Sequence, residues 1–202
     1  MNAEKVINLG EACIEEALKI VAEQGIEQLS LRDIARRLGV SHQAPYKHYA
    51  NREHLLAEIV KRCFADFSNH LDSRPESCHP MEDLGNLGHA YLTYALTKPL
   101  QYSLMFGSSL PDPGKYPEMM KQARHAFSIL KDAITRLDDK KNISEIEINA
   151  LFVWSTMHGM AGILQNHVAG QLNLSVDLKT VAIPKALDRI RIALEAQIAN
   201  LA

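Results

Sequence analysis

The sequence predicts an all-α fold of about nine helices, and three observations carry that expectation. Apolar residues recur at helical spacing through nearly the whole chain. No stretch keeps a strict two-residue alternation, and no Asn-Gly or Asp-Gly pair offers a hairpin turn. Finally, 202 residues of which 47% are hydrophobic, with 23% charged, lie far from the composition of a disordered chain.

Taken in order, Ile14, Ala17, Leu18 and Val21 form the first apolar stripe, closed by Gly25. Ser30 can cap a short helix whose Leu31, Ile34, Ala35 and Leu38 face inward, and Gly39 supplies the tight turn that ends it. Ser41 can cap a second short helix, with Pro45 in its first turn, where the missing N–H costs least. A longer stripe follows in Leu56, Ile59, Val60, Cys63, Phe64, Phe67 and Leu71, ended by a segment holding Pro75 and Pro80. The region from Ser108 to Pro117 carries three prolines and Gly114 and reads as a loop. Beyond it, Met120, Ala123, Phe127, Leu130, Ile134 and Leu137 mark another helix.

From Ser144 to Asn173 a capping box, Ser144 with Glu147, would open a long helix with two apolar faces. One runs Ile148, Leu151, Phe152, Ser155, Gly159, Gly162 and Ile163; the other runs Ala150, Val153, Trp154, Met157, Ala161, Leu164 and Val168. A helix apolar on both sides needs two partners, one of which can be a second subunit. The last helix would start near Pro184 and carry Leu187, Ile190, Leu194, Ile198 and Leu201.

Charge narrows the function. The net charge of −2 argues against a protein that coats nucleic acid or lipid through bulk charge. Its distribution is uneven, however: residues 1–31 carry 2 basic and 6 acidic groups, residues 32–62 carry 7 and 3, and residues 63–202 carry 13 and 15. The basic window is where a phosphate contact belongs. It coincides with two short helices joined by a glycine turn, the layout of a helix-turn-helix, whose second helix presents its first residues to the major groove. Three cysteines with no CxxC spacing argue against disulfides and zinc, the start lacks a secretion signal's layout, and no apolar run spans a membrane. These readings predict a cytoplasmic protein with no cofactor and no metal. An enzyme fits poorly, because no phosphate-cradling glycine loop, GxSxG or HExxH occurs.

Ile14 to Gly25, Leu29 to His48, and Tyr49 with Arg52-Glu53 and Leu55-Leu56 resemble the DNA-binding domain of the tetracycline-repressor (TetR/AcrR) family of bacterial regulators. The resemblance implies that Gln43, Ala44 and Pro45 face bases, with His42 reaching a base or a phosphate. It implies that Tyr46, Lys47 and His48 hold the backbone, and that Arg52 adds a charge at a helix N-terminus. Ser30, Arg32 and Ser41 complete the expected DNA contacts. Where the family commonly has Gly, Lys or Thr, this chain has Gln43, so its operator is its own. Residue chemistry points the same way: Gln bonds bidentately to adenine, Ala and Pro suit a thymine methyl, and lysine or arginine neutralises phosphate without reading sequence.

Residues 1–70 are thus expected to form a three-helix DNA-binding domain, and residues 71–202 a helical domain for ligand sensing and dimerisation through the last two helices. The helix from Arg52 to Leu71 would join the two. Trp154, His158 and Gly159 are similar to the Trp-His-Gly element of one class of sensing domains in the family. With Tyr91, Tyr94, Tyr102, Met105, Phe106 and Phe127, Trp154 and His158 are candidates to line a pocket for a hydrophobic or amphipathic effector. Ser155, Gly159, Gly162, Ile163, Leu187, Ile190 and Leu194 are candidates for the homodimer interface. The expected function is a ligand-responsive repressor on a palindromic double-stranded DNA operator, with no membrane partner. The alternative is a helical small-molecule carrier whose DNA-binding module no longer functions.

Overall fold

Eight α-helices and no strand occur among the described residues, which in the computed structural model are 8–107, 109–137, 142–166, 171, 173 and 175–199. The helices are α1 (Leu9–Gln24), α2 (Leu31–Leu38), α3 (Arg52–Asp72), α4 (Pro80–Thr97), α5 (Pro99–Phe106), α6 (Pro117–Thr135), α7 (Ile143–Gln165) and α8 (Ile183–Ala199). Short 3-10 turns occur at Ile26–Gln28 and Pro45–Lys47, and a π-helical turn at Leu178–Ala182 precedes α8.

The chain divides into two compact units, residues 1–64 with 103–121, and residues 65–102 with 122–202. The first division falls after Phe64 rather than after residue 70. Ser103–Lys121, which the order of the sequence puts with the C-terminal domain, packs with the first unit.

In the first unit, α1 buries Cys13, Ile14, Ala17, Ile20 and Val21. Asn8 caps it by accepting from Gly10 N at 3.1 Å. Ser30 caps α2 as expected, accepting from Asp33 N at 3.1 Å, and Gly39 closes it at φ 68°, the left-handed conformation that glycine adopts without strain. The segment after it differs from the expected second helix. Pro45 has no N–H to give to Ser41 O, so that carbonyl takes Ala44 N at 3.0 Å instead. The chain closes as turns and a 3-10 turn rather than a ninth α-helix, and among the described residues the Ser41 side chain makes no capping hydrogen bond. Asn51 then caps α3, accepting from His54 N at 2.8 Å.

In the second unit, α4 buries Leu84, Leu87, Tyr91, Leu92 and Tyr94. Asp83, 3% exposed, takes both Nε (3.1 Å) and Nη2 (2.9 Å) of Arg74 and is paired with Arg136 as well. α7 begins one residue before the expected capping box. Its cap is Asn142, accepting from Glu145 N at 2.9 Å, while Glu147 pairs instead with Lys131 at 2.7 Å. Its two faces divide as the sequence suggests: Ala150, Val153, Met157 and Ala161 are buried, whereas Ile148, Leu151, Phe152 and Ile163 are exposed. Val168 and Leu201, and the side chain of Ile198, lie outside the described residues.

Candidate nucleic-acid interface

From Arg32 onward, α2 and the turn after it lie within the basic window of residues 32–62, with Arg32, Arg36 and residues 41–43 and 46–48 exposed. Along residues 8–64 most basic side chains are engaged locally. Arg36 donates to Asp33, Arg37 bridges Asp33, Glu16 and Glu23, Lys61 pairs with Glu58, and Arg62 clamps Glu11 of α1. The Arg36 guanidinium holds the Asp33 carboxyl below its usual range, and Arg62 does the same for Glu11. These pairs hold charge on the protein. Arg32 and Lys47, both exposed, are the exceptions: among the described residues neither has an ion-pair partner.

The expected base-facing residues do not all share one environment. His42 and Gln43 are exposed at the first turn, and Ala44 is half-buried. Pro45 is buried in the unit, so it braces the turn and does not present a surface to a base. Tyr46, 47% exposed, Lys47 and His48 follow on the outside. The ring of His48 lies against the start of α1, where a Cβ on Gly10 would come within 3.3 Å of its Nδ1. Tyr49 packs inward and donates to Gly10 O at 2.9 Å, and burial pushes its hydroxyl up to about 12. Ser30 is tied to its cap, and Ser41 is exposed.

Arg52, expected at a phosphate, is exposed and is also held by the fold. Its Nε donates to Leu29 O at 2.9 Å and its Nη2 to Ile26 O at 2.5 Å, so the guanidinium fork satisfies carbonyls of the connection between α1 and α2. Sequence reasoning also passes over a group around it. Asp112 N donates to Glu53 at 3.3 Å, and the ring of Tyr116 stacks on His54 at 6.2 Å. No local signal links positions 59 residues apart.

In the second unit, Tyr91, Tyr102, Trp154 and His158 come together. The hydroxyls of Tyr91 and Tyr102 lie 2.8 Å apart, Tyr102 Oη lies 2.7 Å from His158 Nδ1, and the ring of Trp154 lies 6.4 Å from that of His158. Burial pushes Tyr91 up to about 12 and Tyr102 higher still. Phe127 packs on Trp154 at 5.8 Å. The other three candidates are elsewhere. Tyr94 is fully buried and donates to Asp66 at 2.9 Å, while Met105 and Phe106 belong to the first unit, Phe106 lying edge-on to Phe64. A separate cleft of about 590 Å³ is lined by residues of α4, α7 and α8, among them Leu84, Gly88, Met157 and Leu187, and by none of the eight candidates.

Of the interface candidates, Ser155, Gly159, Gly162 and Ile163 are exposed, and added Cβ atoms at the two glycines would meet open space. On α8 the expectation fails for a geometric reason. Ile190 and Leu194 are 5% and 1% exposed and belong to the core of the second unit, Leu187 reaches to 2.8 Å from where a Cβ on Gly88 would sit, and among the described side chains of α8 the exposed large apolar one is Ile192.

Comparison with known proteins agrees with an N-terminal helix-turn-helix followed by a C-terminal helical domain. A model described as bacterial regulatory proteins of the tetR family matches residues 14–59, and one described as a tetracyclin repressor-like C-terminal domain matches residues 84–182. The HTH-type transcriptional regulator Rv1816 of Mycobacterium tuberculosis is 27% identical over 110 residues, 53% of this chain and 44% of that protein. The match thus takes in under half the length of that curated relative. Among solved structures, a Rhodococcus sp. RHA1 protein of unknown function superposes with a TM-score of 0.77 at 22% identity, covering 96% of this chain and 98% of that one. The TetR family transcriptional regulator PfmR of Thermus thermophilus gives 0.62 at 20% identity, over 91% and 97%. The fatty acid degradation regulator FadR of Bacillus halodurans gives 0.64 at 16% identity, over 93% and 94%. At such identities the likeness is one of fold.

Proposed function

The chain belongs to the tetracycline-repressor family of DNA-binding transcriptional regulators rather than to an enzyme family, and from that premise we propose that it is a homodimeric repressor released from a palindromic operator by a small amphipathic effector. One observation supports the DNA reading most directly. Among the described residues Arg32 and Lys47 are exposed and without ion pairs, as His42 and Gln43 are exposed, while the other basic side chains of residues 8–64 are engaged. Lys47 and Arg32 would neutralise phosphates, and Gln43 would read a base edge.

The dimer would use the exposed face of α7, where among the described residues Leu151, Phe152, Ile163 and the two open glycines leave apolar surface exposed, and Ile192 of α8 is exposed as well. The effector would meet the Tyr91, Tyr102, Trp154 and His158 cluster, whose few polar groups stand among apolar neighbours. An effector that lowers operator affinity must itself be bound more weakly, by the same factor, when operator is present.

Selection of duplexes from a random pool at two salt concentrations tests the proposal. The expected result is a palindrome with half-sites about 34–36 Å apart whose preference survives higher salt. Sequence-blind binding that vanishes with salt would overturn it.

A further inference from the structure

The recognition turn is held on its C-terminal side by a loop from much later in the chain, and all of its contacts lie within the first unit. Ala50 N, just past Tyr46, Lys47 and His48, donates to His54 Nδ1 at 3.1 Å. That acceptor role fixes the orientation of the His54 ring. Tyr49 packs edge-on against the same ring at 5.9 Å and is itself anchored to Gly10 O. On its other side the ring stacks on Tyr116 with an interplanar angle of 15°. Glu53, the neighbour of His54, ties the same loop to α3. The Glu53 carboxylate accepts from Asp112 N at 3.3 Å, and Lys115 Nζ lies 3.8 Å away. An amide and an ammonium of one short loop thus converge on a side chain in the first turn of α3, beside the stacked ring of Tyr116. An isolated surface carboxylate gains little from one such contact, but convergence with a stacked ring fixes geometry.

We propose that Glu53, His54 and Tyr116 are positioning residues for DNA recognition. The loop Asp112–Tyr116 clamps Glu53 and His54, and His54 sets the path of the chain at Ala50, and so the placement of Tyr46, Lys47 and His48 against the phosphates. None of the three need touch DNA. This rests on the DNA-binding reading above.

The test uses the full chain with Tyr116→Ala, Tyr116→Phe and Glu53→Gln. The first probe is the duplex that the unaltered protein selects, beside a random duplex of equal length. The second is the amide exchange of Ala50, read by NMR without DNA. Tyr116→Ala is expected to lower the ratio of specific to non-specific affinity about tenfold while leaving the salt slope unchanged, since no phosphate contact is lost. Ala50 exchange should accelerate. Tyr116→Phe keeps the ring on His54 and should restore the ratio to within about threefold. An unchanged ratio with unchanged Ala50 protection in Tyr116→Ala overturns the proposal. So does equal loss of specific and non-specific binding in both Tyr116 variants, which marks a purely structural role. If Tyr116→Ala does not fold, Glu53→Gln is read by the same two measurements, and an unchanged ratio there overturns the proposal. Failure of the unaltered protein to select any duplex would overturn the DNA reading instead, and the Ala50 exchange would still decide whether the clamp exists.

Discussion

Arg52 closes on the carbonyl of Leu29 at 2.9 Å and, through its second nitrogen, on that of Ile26. A cation that family resemblance places at a phosphate also holds the chain between α1 and α2. Arg52→Ala should lower stability by about 1 kcal/mol, read by thermal denaturation, and leave the salt slope of DNA binding unchanged. Arg52→Lys should not restore it, because an ammonium cannot span two carbonyls as a planar fork does.

Lys47 and Gln43 should separate cleanly. Lys47→Ala is expected to weaken all duplexes alike and reduce the salt slope by about one unit, whereas Gln43→Ala should flatten sequence preference at one position, a loss of about 1–3 kcal/mol. Fluorescence anisotropy titrations over a salt series distinguish the two. If both merely unfold the domain, the assignments fail.

The surface of α7 offers a test of assembly. Phe152 is 44% exposed, so Phe152→Glu should cost the subunit little stability yet shift it to monomer in analytical ultracentrifugation. Leu194 on α8 is 1% exposed, and Leu194→Ala should instead destabilise the fold by about 2–5 kcal/mol.

Asp83 anchors two arginines from a buried position. Asp83→Ala would leave Arg74, whose side chain is 8% exposed, without its counter-charge, and should cost about 3–5 kcal/mol in denaturant unfolding. A change at this site should leave the local contacts of His42 and Gln43 unaltered.

Three carboxylates give the pH dependence a sign. Burial alone would raise Asp66, but hydrogen bonds from Lys98 and Tyr94 outweigh it and hold the group low; Glu11 and Asp33 are held low chiefly by their hydrogen bonds to Arg62 and Arg36. With the folded-state pKa below the unfolded one, the unfolded chain binds more protons in the window between them, so stability rises with pH there. Stability is expected to be complete above the ordinary carboxylate range, about pH 4, and to fall as pH drops through the lowered values. Lys98→Met should shrink that dependence in denaturation curves taken across acidic pH.

Periodicity, caps and glycines made the helices and the helix-turn-helix legible, because each is a local matter: Ser30 four places before Ile34, Gly39 where φ must be positive, two apolar faces on α7. The density of motif between Ile14 and Leu56 was enough to place the chain in its family. Partnership was not legible. Arg37 and Arg52 are as basic as Arg32 and Lys47, and only the fold, by bringing Glu16, Glu23, Leu29 and Ile26 alongside, gave them their distant partners. Likewise Ile190 and Ile192 have the same chemistry two positions apart, and the rotation of α8 against α4 and α7 alone sets one in the core and the other outside. Tyr116 meets His54 for the same reason. Chemical type and local period are written residue by residue, but a contact between distant positions exists only once packing has closed the loop between them.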